Sequence, residues 1–138
     1  MFQTDHNVKI AVITKMQLED DIIPPRGRIM YLQMQSDALY HLLAKTSTCS
    51  QEMCDQIYDL IKSAVDLAKV ELDKCDALRL LCVHSLCKIL CEIKGDFAQA
   101  KSLAEDTVVE ASSLENSLNQ SAIVMLQKLR DDYMTISL

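Results

Sequence analysis

Three observations predict an all-α fold, an antiparallel array of helices in a single domain over residues 1–138. The 138-residue chain contains only two glycines, Gly27 and Gly95, and two prolines, Pro24 and Pro25. Apolar residues recur at three- and four-residue spacing in one segment after another, and no segment alternates with period two. The stretches between these segments are short, which places consecutive helices antiparallel. A many-stranded sandwich or barrel needs turn glycines that this chain lacks. A glycine-rich phosphate loop is excluded because the two glycines lie 68 positions apart. The hydrophobic fraction of 49% is too high for a disordered chain and sufficient for one core.

The elements follow in order. Val8, Ile10, Ala11, Ile13, Met16 and Leu18 suggest a first helix over residues 7–21. Pro24-Pro25 and Gly27 then make the one strong break. Ile29, Leu32, Ser36, Leu39 and Leu43 predict a helix over 28–46, its apolar stripe interrupted by polar residues. Thr46, Ser47, Thr48 and Ser50 form a turn, with Ser50 as N-cap and Glu52 in the following first turn.

Met53, Ile57, Leu60, Ile61, Ala64, Leu67, Ala68 and Leu72 trace one stripe over 51–72. Asp76 caps the next helix, 77–93, which is apolar on nearly every side and therefore central. Gly95 closes it in the left-handed conformation. Asp96 caps a helix carrying Phe97, Ala100, Leu103, Ala104, Thr107, Val108 and Ala111. Residues 112–120 read as a polar loop, and Ile123, Val124, Leu126, Leu129, Tyr133 and Ile136 form the last helix. On this reading both glycines fall in connections between helices.

Fourteen Lys and Arg stand against twenty Asp and Glu, a net charge of −6. That balance argues against nucleic acid and against anionic membranes as partners. The N-terminus shows no basic stretch leading into an apolar one, so no signal peptide is expected there. The six cysteines, Cys49, Cys54, Cys75, Cys82, Cys87 and Cys91, are then expected to be reduced thiols filling a cytoplasmic protein's core.

His84, Cys87 and Cys91 share one helix face and could in principle bind zinc. A structural zinc site normally draws ligands from two elements with a Cys knuckle, and that pattern is missing. The same residues lack an orienting third group for Cys-His catalysis. No metal, cofactor or enzymatic activity is therefore expected. Gly95-Asp96-Phe97-Ala98-Gln99-Ala100 is similar to the turn of a tetratricopeptide helix pair, but no 34-residue repeat accompanies it.

Several segments resemble 14-3-3 proteins. Tyr31-Leu32-Gln33-Met34-Gln35-Ser36-Asp37 is similar to that family's YLKMKGD, and Asp20-Asp21-Ile22-Ile23-Pro24 to the stretch ending in LIP. Residues 78–93 resemble IRLGLALNFSVFYYEI without a gap. Ser102-Leu103-Ala104 is similar to SLAK, and residues 121–132 to STLIMQLLRDN. The resemblance covers about residues 15–136, in the family's order, and corresponds to roughly the C-terminal half of a family member. The first three helices and the RNLLSVAYKNV motif have no counterpart.

The resemblance implies a non-enzymatic adaptor whose groove takes protein or peptide clients, phosphorylated ones included. It also implies altered chemistry. The family's phosphate-gripping Arg-Tyr pair falls on Tyr40 and His41, and the lysine of YLKMK falls on Gln33. A neutral imidazole does not replace a guanidinium. On the central helix the Leu and Asn of LALN become His84 and Ser85, the following Val becomes Lys88, and the Glu is kept as Glu92. These four lie at roughly 0°, 100°, 40° and 80° around a helix, on one polar face. On the last helix the groove leucines become Val124 and Lys128, the Asn of RDN becomes Asp132, and the family's Trp becomes Ile136.

Phosphopeptide binding is thus expected to be weakened, altered or lost, with Lys88 and Lys128 as replacement cations. The simpler reading of the polar face is a solvated strip. A family-type dimer is not expected, because its contacts come from the missing first helices. Two other readings are a tetratricopeptide-like scaffold and a degenerate or partial paralogue without a ligand.

Overall fold

The structure, a computed structural model, describes residues 23–46, 50–114 and 118–138. It is all-helical there: α1 (Pro25–Lys45), α2 (Gln51–Glu71), α3 (Ala77–Glu92), α4 (Phe97–Ser112), α5 (Gln120–Leu129) and a π-helical turn (Arg130–Met134), with no strand among the described residues. The helix expected over 7–21 and the turn residues Ser47 and Thr48 lie outside them. No helix among the described residues is long and apolar enough to cross a membrane. The chain divides into two compact units, Met1–Leu67 and Ala68–Leu138.

In the first unit, α1 begins earlier than the sequence suggests. Pro25 occupies its first turn, where the missing N–H costs nothing and the fixed φ suits a helix. Gly27 therefore lies inside α1 and not in a connection, which corrects the expectation from sequence. Its need is space: a Cβ there would meet Ile23 Cγ2 at 2.8 Å. Ile29 and Leu39 are buried along α1, and so is the polar pair Gln35 and Ser36. The Ser36 hydroxyl donates to the Ile57 carbonyl of α2 at 3.0 Å, which meets the cost of burying it. Ser50 starts α2 as expected, its Oγ accepting from the Met53 N–H at 3.4 Å. The stripe of α2 buries Ile57, Ile61, Ala64 and Val65.

In the second unit, three carboxylate or amide caps set the helix starts. Asp76 Oδ1 accepts from the Leu78 N–H at 2.9 Å, Asp96 Oδ1 from the Gln99 N–H at 3.1 Å, and Asn119 Oδ1 from the Ala122 N–H at 2.8 Å. Gly95 closes α3 with φ +64°, and the Asp96 N–H turns back to the Leu90 carbonyl at 2.8 Å.

Helix α3 buries Leu80, Cys82, Val83, Leu86, Cys87, Ile89 and Leu90, as an all-round apolar helix must. It packs on α4 and α5. Alanines make the α4 contact close, since Ala100, Ala104 and Ala111 are all fully buried. Cys87 Sγ donates to the Ala100 carbonyl at 3.5 Å near one end of this pair. Arg79 Nη2 reaches Glu110 Oε2 at 3.3 Å near the other. Residue numbers that rise on one helix while falling on the other define an antiparallel pair.

Arg79 is buried on an apolar helix and is satisfied from three directions. Besides Glu110, its Nη1 donates to the Leu72 carbonyl at 3.1 Å and more loosely to that of Lys69 at 3.5 Å. Those carbonyls are left over at the end of α2, where a cation also suits the helix dipole.

Candidate functional site

The residues singled out from sequence fall into both units. In the first, Gln33 and Tyr40 are half-buried on α1. His41 is exposed, with Nε2 3.5 Å from Asp37 Oδ2 one turn earlier. The Tyr40 and His41 rings meet edge-on at 5.7 Å. An imidazole beside a carboxylate presents no fixed cationic fork to a phosphate.

In the second unit the α3 strip has the exposure expected of a polar face. His84, Ser85 and Lys88 are half-buried and Glu92 is exposed, while the residues between them, Leu86, Cys87, Ile89 and Leu90, are buried. On the C-terminal elements, Val124 is 43% exposed, Lys128 and Asp132 are exposed, and Ile136 is half-buried. The two sets meet at His84 and Asp132. His84 Nε2 lies 2.8 Å from Asp132 Oδ2 across 48 residues of sequence. The His84 ring also packs edge-on against Tyr133 at 5.1 Å.

Three elements create that junction. Asp76 fixes where α3 begins, which sets the face on which His84 lies. The stripe Ala122, Leu126, Leu129 and Tyr133 seats α5 and the π turn by its buried side. Lys101 of α4 then donates to the Ile136 carbonyl at 2.8 Å and ties down the chain beyond the turn. Within the turn, the Thr135 hydroxyl donates to the Asp131 carbonyl at 2.8 Å.

The last helix expected to reach residue 136 is therefore α only to Leu129, and the π turn replaces its end. Sequence periodicity does not mark this change. Residues 122, 126, 129 and 133 would share a face in an uninterrupted α-helix as well. Tyr133 and Lys101 were not singled out from sequence, although Tyr133 extends the apolar stripe and could have been weighed as a lining residue.

The thiols near the junction are held protonated. Burial pushes Cys82 up to about 12, with the Asp76 charge adding, and pushes Cys87 up to about 12, with Cys91 adding. Cys91 is raised by burial first and then by Glu92 and Asp96. Burial likewise raises the Tyr133 phenol, helped by Cys87, Asp132, Cys91 and Glu92. Thiols held neutral are poor nucleophiles and poor metal ligands at neutral pH. Among the described residues no group of three or more His, Cys, Asp or Glu side chains could hold a metal ion. Cys49 lies outside the described residues.

An open cavity of about 760 Å³ lies elsewhere, along the outer face of α2 in the first unit. Glu52, Asp55 and Asp59 line it with Gln56, Leu60 and Ser63. It contains none of the predicted residues. Comparison with protein-family models and with curated proteins finds no match to the chain.

Proposed function

We propose that the protein is a non-enzymatic interaction module, an adaptor resembling 14-3-3 proteins, that takes an extended peptide along the polar strip of its second unit. The observation that carries this reading is the 2.8 Å His84–Asp132 contact. It joins residues that the resemblance alone assigned to one groove from two different helices. Exposed Val124 and the cations Lys88 and Lys128 belong to the same helices and give a peptide apolar and charged contacts.

Phosphate recognition is weakened or lost on this reading. Tyr40 and His41 stand where the family carries its Arg-Tyr grip, and His41 faces Asp37. Lys88 and Lys128 supply point charges in place of a guanidinium fork, so a phosphate adds attraction without bidentate geometry. Buried thiols that remain protonated suit a reducing compartment, which supports a cytoplasmic location. No family-type dimer is proposed.

Peptide arrays in phosphorylated and unphosphorylated forms, followed by titration of the hits, test the reading. Binding is expected in both forms, with phosphate changing affinity by less than about tenfold, under about 1.4 kcal/mol. Lys88→Glu and Lys128→Glu should each weaken it. Absence of any peptide ligand would remove the adaptor reading. A strong requirement for phosphate would remove the altered-groove reading.

A further inference from the structure

Tyr133 ends the buried stripe that runs down α5 into the π turn, and it is 8% exposed. Its ring packs edge-on against His84 at 5.1 Å, and the adjacent Asp132 holds His84 Nε2 at 2.8 Å. These contacts fix the ring between α3 and the π turn, beside the polar strip. Its hydroxyl nevertheless has no hydrogen-bond partner among the described residues, and it is not sealed from solvent either. A buried tyrosine normally finds a partner for its O–H within the fold. This one is left to an acceptor that comes from outside.

We infer that the Tyr133 hydroxyl is a hydrogen-bond donor on the floor of the strip, taking a main-chain carbonyl of an extended client and turning away an acidic or phosphorylated side chain at that point. The inference rests on the peptide-binding reading and names what that site selects. The hydroxyl is a lasting donor, because burial first, and then Cys87, Asp132, Cys91 and Glu92, raise the phenol above its ordinary value. Those groups belong to the π turn and to the turns of α3 that follow His84, which are the elements that carry the strip. None of them is a cation, so an anion brought to the hydroxyl meets like charge from Asp132 and Glu92. A neutral carbonyl meets no such penalty. An extended chain offers one at every residue, whatever its side chains.

The test uses the full chain and the unphosphorylated peptide that binds most tightly on the array. Tyr133→Phe deletes the hydroxyl and keeps the ring. It should weaken that peptide about fivefold, the size of one neutral hydrogen bond, with the thermal midpoint unchanged. Amide-to-ester replacement along the peptide then locates the acceptor, since an ester carbonyl accepts more weakly. One position should lose affinity for the parent and lose none for Tyr133→Phe. A glutamate at that residue should bind the parent severalfold more weakly, and Asp132→Asn should recover part of the loss. Equal affinity of the parent and Tyr133→Phe for the peptide would overturn the inference and leave the peptide-binding reading intact. So would ester losses that match at every position in the two proteins, or a glutamate that is tolerated. An array that yields no ligand for the parent would instead remove the peptide-binding reading, and this inference with it.

Discussion

The α3–α4 hairpin and the C-terminal segment after Leu129 belong to the same unit and continue the same kind of apolar stripe, yet they are held in different ways. The hairpin is fastened along its length. Alanines at 100, 104 and 111 let the helices approach, Leu80, Leu86 and Leu90 fill the space between neighbours, and Arg79 ties α3 to α4 and to the end of α2. The C-terminal segment has one buried aromatic ring, the side-chain pairs His84–Asp132, Arg130–Ser112 and Gln127–Asp131, all at exposed positions, and one hydrogen bond from Lys101. A continuous stripe therefore says that a segment packs but not how firmly it is held. Firmness depends on how many independent contacts must break together.

The largest expected effect is in the hairpin. Leu90→Ala should cost the second unit about 2–5 kcal/mol, since the side chain is 1% exposed and the helices around it can collapse only in part. Chemical denaturation of the full chain measures this. A loss under about 1 kcal/mol would mean that the core around α3 is loosely packed and the contrast with the C-terminal segment is false.

Alkaline titration sharpens the comparison from another side. Cys82 and Cys87 have folded values of about 12 against an ordinary 9.0, so the folded protein holds these protons more tightly than the unfolded chain. Their contribution is fully present below pH 9 and is lost as pH rises from 9 towards 12. Each thiol lowers stability by up to about 1.4 kcal/mol per pH unit in that window. Denaturation midpoints measured from pH 8 to pH 11 should fall less steeply in a Cys82→Ala, Cys87→Ala variant. An unchanged slope would show that the thiols are not held protonated by burial.

A smaller effect is expected at the α3 start. Asp76→Ala should cost about 1 kcal/mol through loss of the cap on the Leu78 N–H, and Asp76→Asn much less. Equal losses in the two variants would assign the effect to charge and not to capping.

The difference between the two regions also explains what could be read from the sequence. The hairpin was legible because its information is local: an all-apolar helix, Asp76 and Asp96 as caps, and Gly95 at the left-handed turn each act within a few residues. Gly27 was misread because its role is a close approach to Ile23, which a glycine in sequence does not distinguish from a turn. The π turn was invisible because its buried positions match an α-helical stripe. Of the candidate site, the α3 strip followed from helix geometry. The pairing of His84 with Asp132 came only through resemblance, since no periodicity joins residues 48 apart. Arg79 gave a signal, a cation in the first turn of an apolar helix, but its three partners are set by tertiary packing.

The central claim is that the segment after Leu129 is held less firmly than the α3–α4 pair, and residue-resolved amide hydrogen exchange tests it most directly. Amides from Leu86 to Leu90 should exchange at the rate set by unfolding of the whole unit. Those from Tyr133 to Ile136 should exchange at least about a hundredfold faster. A single exchange class spanning α3 and the C-terminal segment would contradict the account.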